Sequence, residues 1–178
     1  LFYAASLPIF MAGIQGNIEA VAAGKEAVNI VTSETVFTAA LITMGGMGAT
    51  LPLNVMMMFS KAKKLKVMGR ICIGPSIFNI NEPLVFGAPI AFNPIMMVPF
   101  WLTSIAGPVI IWFSMRLDLL NIPYRMIQIG QIPAPFSSVM ITEDMRAVIV
   151  YIILFAVYYI IWLPFFKVYE VQCLNEGE

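Results

Sequence analysis

Phe78–Phe100 reads "FNINEPLVFGAPIAFNPIMMVPF", and this stretch decides the fold. It carries one charge, Glu82, with Asn79 and Asn81 just before it and prolines at 83, 89, 94 and 99. The uncharged run extends from Pro83 to Met115, 33 residues, with a fifth proline at 108. Proline removes a backbone donor and clashes with the preceding turn, so one straight helix is not expected here. The pattern predicts a broken helix or re-entrant hairpin first and a proper span near Ile95–Met115. The competing reading is a single proline-kinked helix. Irregular backbone persists at membrane depth only where protein or a watery cavity satisfies its polar groups. The prolines therefore point to a segment lining a cavity.

Composition outside this stretch agrees with a membrane setting. The 178 residues are 60% hydrophobic and 11% charged, with a mean hydropathy of +0.88. Soluble domains are typically about 25% charged. The net charge is zero, which argues against nucleic acid as a partner. Histidine is missing, and with it the commonest metal ligand and general base. Cys72 and Cys173 lie far apart and form no CxxC pair, so no zinc site, disulfide or cofactor is indicated. The chain begins with Leu inside an uncharged stretch, which predicts a piece of a longer protein.

The charge-free runs give the order of elements. Leu1–Ile18 is uncharged but holds Pro8, Gly13 and Gly16. Thr35–Ser60, 26 uncharged residues, is long enough to span about 30 Å of hydrocarbon. Thr32, Ser33 and Glu34 before it have the character of a helix N-terminus. "MGGMGATLPL" (Met44–Leu53) within it is read mainly as a close-packing surface. Lys61–Arg70, "KAKKLKVMGR", holds five of the ten basic residues and is expected to be a cytoplasmic loop. A polybasic lipid-binding patch is the competing reading. Met126–Thr142 is short and broken by "GQIPAPF" (Gly130–Phe136), which suits a second re-entrant element. Ala147–Phe166 is a final span of 20 uncharged residues, capped by Thr142, Glu143 and Asp144. Tyr158, Tyr159, Trp162 and Tyr169 form an aromatic belt at its far end, and Lys167–Glu178 is a short polar tail. The predicted class is an all-α integral membrane protein with transmembrane helices and re-entrant or broken helical hairpins.

An ionisable group at membrane depth points to function. Glu82 with Asn79 and Asn81 offers carboxylate acceptors, amide donors and amide acceptors within four residues. That mixture suits neighbouring sugar hydroxyls, each of which donates and accepts, and charge-assisted bonds are the strong ones. Asn93 before Pro94 repeats the polar-plus-breaker pattern. Phe78, Phe86, Phe92 and Trp101 offer apolar faces for a pyranose ring or, equally, for packing. The competing reading of Glu82 is a solvated carboxylate at a helix start, with Pro83 in the first turn. No HExxH, paired aspartates, Ser/His constellation or nucleotide-binding glycine loop is present, so no residue is assigned a catalytic role.

At "GPSIFNINEPLVFGAPIAFNPIMMVPF" (Gly74–Phe100) the sequence resembles the membrane component, enzyme IIC, of the bacterial phosphotransferase system, lactose/cellobiose type. "MGGMGATL" (Met44–Leu51), "GNIEAVAAG" (Gly16–Gly24) and "YYIIWLPFFKVYE" (Tyr158–Glu170) are similar to it too. The resemblance covers essentially residues 1–178 and implies the C-terminal sugar-binding portion of a larger protein. It implies a multi-pass protein of the bacterial plasma membrane that binds a disaccharide of the cellobiose, lactose or chitobiose type and carries it inward. Phosphorylation would come from a phosphocysteine on the partner IIB component, itself supplied by IIA. The family's sugar-contacting glutamate falls on Glu82, with Asn81 beside it. The resemblance also implies a homodimer formed by helices upstream, and an upstream Gly-Ile-His-Gly histidine that this sequence lacks. Phosphorylation adds negative charge to the sugar, which favours release from a site holding Glu82. Two other functions compete: an ion-coupled secondary transporter with Glu82 as proton or ion site, and a structural membrane fragment without independent activity.

Overall fold

The computed structural model describes residues 2–36, 42–88, 90–127 and 132–175. Every regular element among the described residues is helical. They are α1 (Phe2–Ala22), α2 (Ser33–Val36), α3 (Leu51–Met58), α4 (Lys63–Ile77), α5 (Glu82–Gly87), a 3₁₀ turn at Ile90–Phe92, α6 (Pro94–Arg116), α7 (Ala134–Thr142) and α8 (Ala147–Asn175).

Two of these, α6 with 23 residues and α8 with 29, are long and apolar enough to cross a membrane. At 1.5 Å per residue they extend about 34 and 44 Å. Both tolerate internal prolines, Pro99 and Pro108 in α6 and Pro164 in α8. Each buries a single stripe. Along α8 it is Ala147, Val150, Leu154, Tyr158, Trp162, Phe166 and Tyr169. Along α6 it is Met96, Pro99, Thr103, Gly107, Ile111, Ser114 and Met115. The spacing of three and four is that of one helix face. Small residues on the α6 stripe let the two helices close together, and a Cβ on Gly107 would collide with the Tyr158 hydroxyl. The remaining faces stay apolar and exposed, as at Ile105, Val109, Ile149, Ile152 and Ile160.

The helices run antiparallel. At one end Asn93, Pro94 and Ile95 of α6 share a cavity with Tyr169, Gln172 and Cys173 of α8. At the other, the Arg146 guanidinium before α8 donates to Asp118 O at 3.0 Å, just past α6. We call these the Glu170 end and the Arg146 end.

Between α2 and α6 the chain makes two hairpins instead of spans. α3 runs to the Glu170 end, where Ser60 Oγ and Lys61 N donate to Glu170 Oε1. α4 returns inward along α3, its Leu65, Gly69, Cys72 and Ser76 buried. α5 goes back toward the Glu170 end, where Tyr169 donates its hydroxyl to Ala88 O at 3.2 Å. α6 then starts its crossing. The broken reading of Pro83–Met115 is what the structure has, and α6 matches the predicted Ile95–Met115 span to within a residue at each end. Pro89, one of the predicted breakers, lies outside the described residues.

Three expectations need correction. Thr35–Ser60 is not one span: residues 42–50 form turns, and α3 has eight residues. Gly45, Gly46 and Gly48 sit at φ +74°, +89° and +78°, where a helix cannot continue. Positions 37–41 of that expected span lie outside the described residues. Lys61–Arg70 is not a loop either. The turn ends at Ala62, whose N–H is held by Ser60 Oγ, and Lys63–Arg70 is the first half of α4. Lysine, leucine and methionine are good helix formers, and charge alone did not break the helix. The polar tail from Lys167 continues α8 as far as Asn175, because Tyr169 still has a buried place to pack. Gly130 of the predicted 130–136 break lies outside the described residues, and α7 after it is a nine-residue helix packed on α8.

Candidate functional site

The site is built where the 42–50 turns before α3 meet the turn between α4 and α5. α4 ends at Phe78, and Asn79 turns the chain with φ +62°, a left-handed conformation that asparagine tolerates better than most residues. Its Oδ1 accepts from Gly45 N at 3.0 Å. Asn81 is buried and donates through Nδ2 to Met47 O at 2.6 Å and to Thr50 Oγ1 at 3.3 Å. Thr50 in turn donates to Gly45 O at 2.6 Å, and Thr103 of α6 donates to Gly48 O at 2.7 Å. The two asparagines thus stitch the 42–50 turns to the start of α5, and α6 holds the turns from behind.

This interlock explains the glycines. A Cβ on Gly46 would sit 2.5 Å from Asn81 Cγ, and one on Gly48 would strike the Phe100 ring. The segment expected to serve general packing is a backbone cradle needing both left-handed angles and the absence of side chains.

Glu82 opens α5, directly after this junction, and is exposed. No described residue forms a hydrogen bond or ion pair with its carboxylate. Asn79 and Asn81 thus already have partners in the cradle, whereas Glu82 presents an unengaged charge. α5 has six residues, a rise of about 9 Å, which sets Glu82 that far inward of the Ala88–Tyr169 contact. Asn93 lies elsewhere. It is the N-cap of α6, its Oδ1 accepting from Ile95 N at 3.0 Å, and it borders a cavity of about 570 Å³ at the Glu170 end with Lys64, Tyr169, Gln172 and Cys173. Phe78, Phe86, Phe92 and Trp101 are all exposed.

Sequence reading missed Met47, Thr50 and Thr103, which complete the cradle. Thr50 carried a faint signal, as a threonine before Leu51-Pro52 at a helix start. Thr103 carried none, since its partner is 55 residues away.

Residues 2–104 of the chain match the family described as Phosphotransferase system, EIIC. The chain belongs to that family. Among curated EIIC proteins it is 33% identical over 171 residues to the lichenan permease IIC component of Bacillus subtilis, covering 95% of this chain and 37% of that protein. It is 36% identical over 174 residues to a lactose-specific EIICB component of Staphylococcus aureus, covering 96% of this chain and 30% of that one. The solved EIIC transporter ChbC, the IIC component of the N,N'-diacetylchitobiose-specific system, superposes with a TM-score of 0.87 at 32% identity. That superposition covers 99% of this chain and 41% of ChbC. The chain therefore spans well under half the length of these relatives. The all-helical membrane fold with hairpins between spans is an EIIC fold.

Proposed function

We propose that residues 1–178 form the C-terminal sugar-binding part of an EIIC transporter that carries a disaccharide across the bacterial plasma membrane. Its relatives act, by their names, on lichenan, lactose and N,N'-diacetylchitobiose. The observation that carries this reading is Glu82, an exposed and unengaged carboxylate at the start of a short helix whose neighbours on both sides are fixed. A carboxylate so placed accepts from two adjacent sugar hydroxyls. Asn81 and Asn79 hold it in place and supply their remaining amide atoms, and Asn93 serves at the mouth near α6.

Chemistry is completed by a partner. A phosphocysteine on IIB, recharged by IIA, loses its phosphoryl group to a sugar hydroxyl, so the S–P bond breaks, an O–P bond forms and the hydroxyl proton leaves. No residue of this chain is assigned to that step. Lys61, Lys63, Lys64 and Lys167 lie at or beside the Glu170 end, and this excess of positive charge supports a cytoplasmic, IIB-facing side there. The exposed apolar faces of α6 and α8 suit the bilayer, and a homodimer of the full-length protein would form through helices upstream. An ion-coupled role for Glu82 is not favoured, because EIIC transport is coupled to phosphorylation.

The test is calorimetric titration of the full-length gene product and its Glu82→Gln variant with cellobiose, lactose and N,N'-diacetylchitobiose. Loss of a charged acceptor should weaken binding by about 1.5–3 kcal/mol. Unchanged binding would move the site away from Glu82.

A further inference from the structure

α8 touches the 42–50 turns where Tyr158 donates its hydroxyl to Ile42 O at 3.2 Å, and it also grips both hairpins at their bases near Glu170. Glu170 Oε1 accepts from Ser60 Oγ and, at 2.7 Å, from Lys61 N, the turn that joins α3 to α4. Ser60 Oγ also accepts from Ala62 N at 3.1 Å, so the carboxylate braces the start of α4. One residue earlier, the Tyr169 hydroxyl donates to Ala88 O. Ala88 closes α5, its N–H bonded to Leu84 O at 2.9 Å. Tyr169 is buried in doing so.

α5 has only six residues, too few to hold a helix or a direction by itself. Its first residue is Glu82. Its N-terminal side is fixed through Asn81 to Met47 and Thr50, and Thr50 begins α3, the helix whose far end Glu170 holds. Two adjacent residues of one span therefore hold the lower ends of both elements whose upper ends meet at Glu82.

We infer that Tyr169 and Glu170 are positioning residues that set the direction of the Glu82 carboxylate toward the transported sugar. This rests on the sugar-site reading of Glu82. The two residues act through hydrogen bonds to the hairpin bases, and they transmit any tilt of α8 directly to the site. Neither touches the sugar.

The experiment titrates the full-length gene product with cellobiose, lactose and N,N'-diacetylchitobiose, with a melting temperature for every variant. Tyr169→Phe keeps the ring and loses the hydroxyl, and Glu170→Ala loses the acceptor. Each should weaken binding about fivefold, the size of one net hydrogen bond. Glu170→Gln keeps an acceptor oxygen and should restore binding. In a Glu82→Gln background the Tyr169→Phe loss should disappear, because the group being aimed is no longer a carboxylate. Equal losses in both backgrounds would assign Tyr169 a merely structural role and overturn the inference. So would Glu170→Gln binding as poorly as Glu170→Ala, or unaltered binding in both tether variants while Glu82→Gln weakens it. If Glu82→Gln alone leaves binding intact, the sugar-site reading fails first, and the aiming role goes with it.

Discussion

Gly46 shows how narrowly the cradle is specified. Its φ of +89° and the Asn81 amide against its Cα together exclude a side chain. Gly46→Ala should destabilise the protein by about 1–3 kcal/mol of backbone strain and lower its melting temperature, with sugar binding weakened alongside. Glu34 makes a different statement at the Arg146 end. It is buried beside Thr32, Ser33 and Thr35, and burial raises its pKa, only partly offset by the Ser33 hydroxyl and a backbone N–H of Ile127. A folded pKa above the unfolded one contributes stability that is present below the unfolded value, near 4.5, and is lost as pH rises through the raised native value. Glu34→Gln removes that penalty. The melting temperature of the variant should therefore exceed the wild type by more at pH 8 than at pH 5, and a constant gap would refute the assignment. The helix N-terminus expected at Thr32–Glu34 is there, since Glu34 N–H is held by Thr32 Oγ1 at 3.3 Å, but the helix is the four-residue α2 and not the expected long span. The burial of Glu34 was not legible, because it depends on Ile127, far along the chain.

The elements divide by what determined them. α6 and α8 were readable because an uncharged run of 20 or more residues is a local property. The break at Asn79–Pro83 was readable because proline and asparagine act on their own backbone. α3 was not, since "TLPLNVMMMF" is as apolar as a span and only the left-handed glycines before it stop the helix. Glycine permits those angles without requiring them, so the signal was ambiguous until Asn81 and Phe100 were seen to occupy the space. The basic segment was misjudged for a related reason: charge gives its side of the membrane but says little about its helicity. α3 and α4 cross at Gly69, where a Cβ would come 2.6 Å from Met58 N and 2.8 Å from Met57 C. Both neighbours are backbone and cannot move aside. Gly69→Ala should cost about 1–3 kcal/mol by forcing the hairpin apart. Circular dichroism should show helix content kept while thermal stability falls, and an unaltered melting temperature would mean that the crossing is looser than described.

Across the whole molecule charge is sorted by end. The Arg146 end balances its charges: Arg125 pairs with Glu143 at 2.7 Å and Arg146 with Asp144 at 2.8 Å. Burial pushes the Asp144 carboxyl up, but the Arg146 bonds and charge outweigh it and leave its pKa lowered. The Glu170 end carries lysines in excess. With Cys72 and Cys173 replaced by Ser, Lys64→Cys should react with a membrane-impermeant maleimide only in inside-out vesicles, and Arg125→Cys only in right-side-out cells. The reverse pattern would invert the topology. The grip of α8 on the hairpins has one more consequence, in the order of synthesis. The ribosome finishes Ala88 some 80 residues before it reaches Tyr169 and Glu170. At about 5–20 residues per second the hairpins wait roughly 4–16 s without their anchor. During that interval α5 is already made but its Ala88 end has no partner, and only the emergence of α8 supplies one.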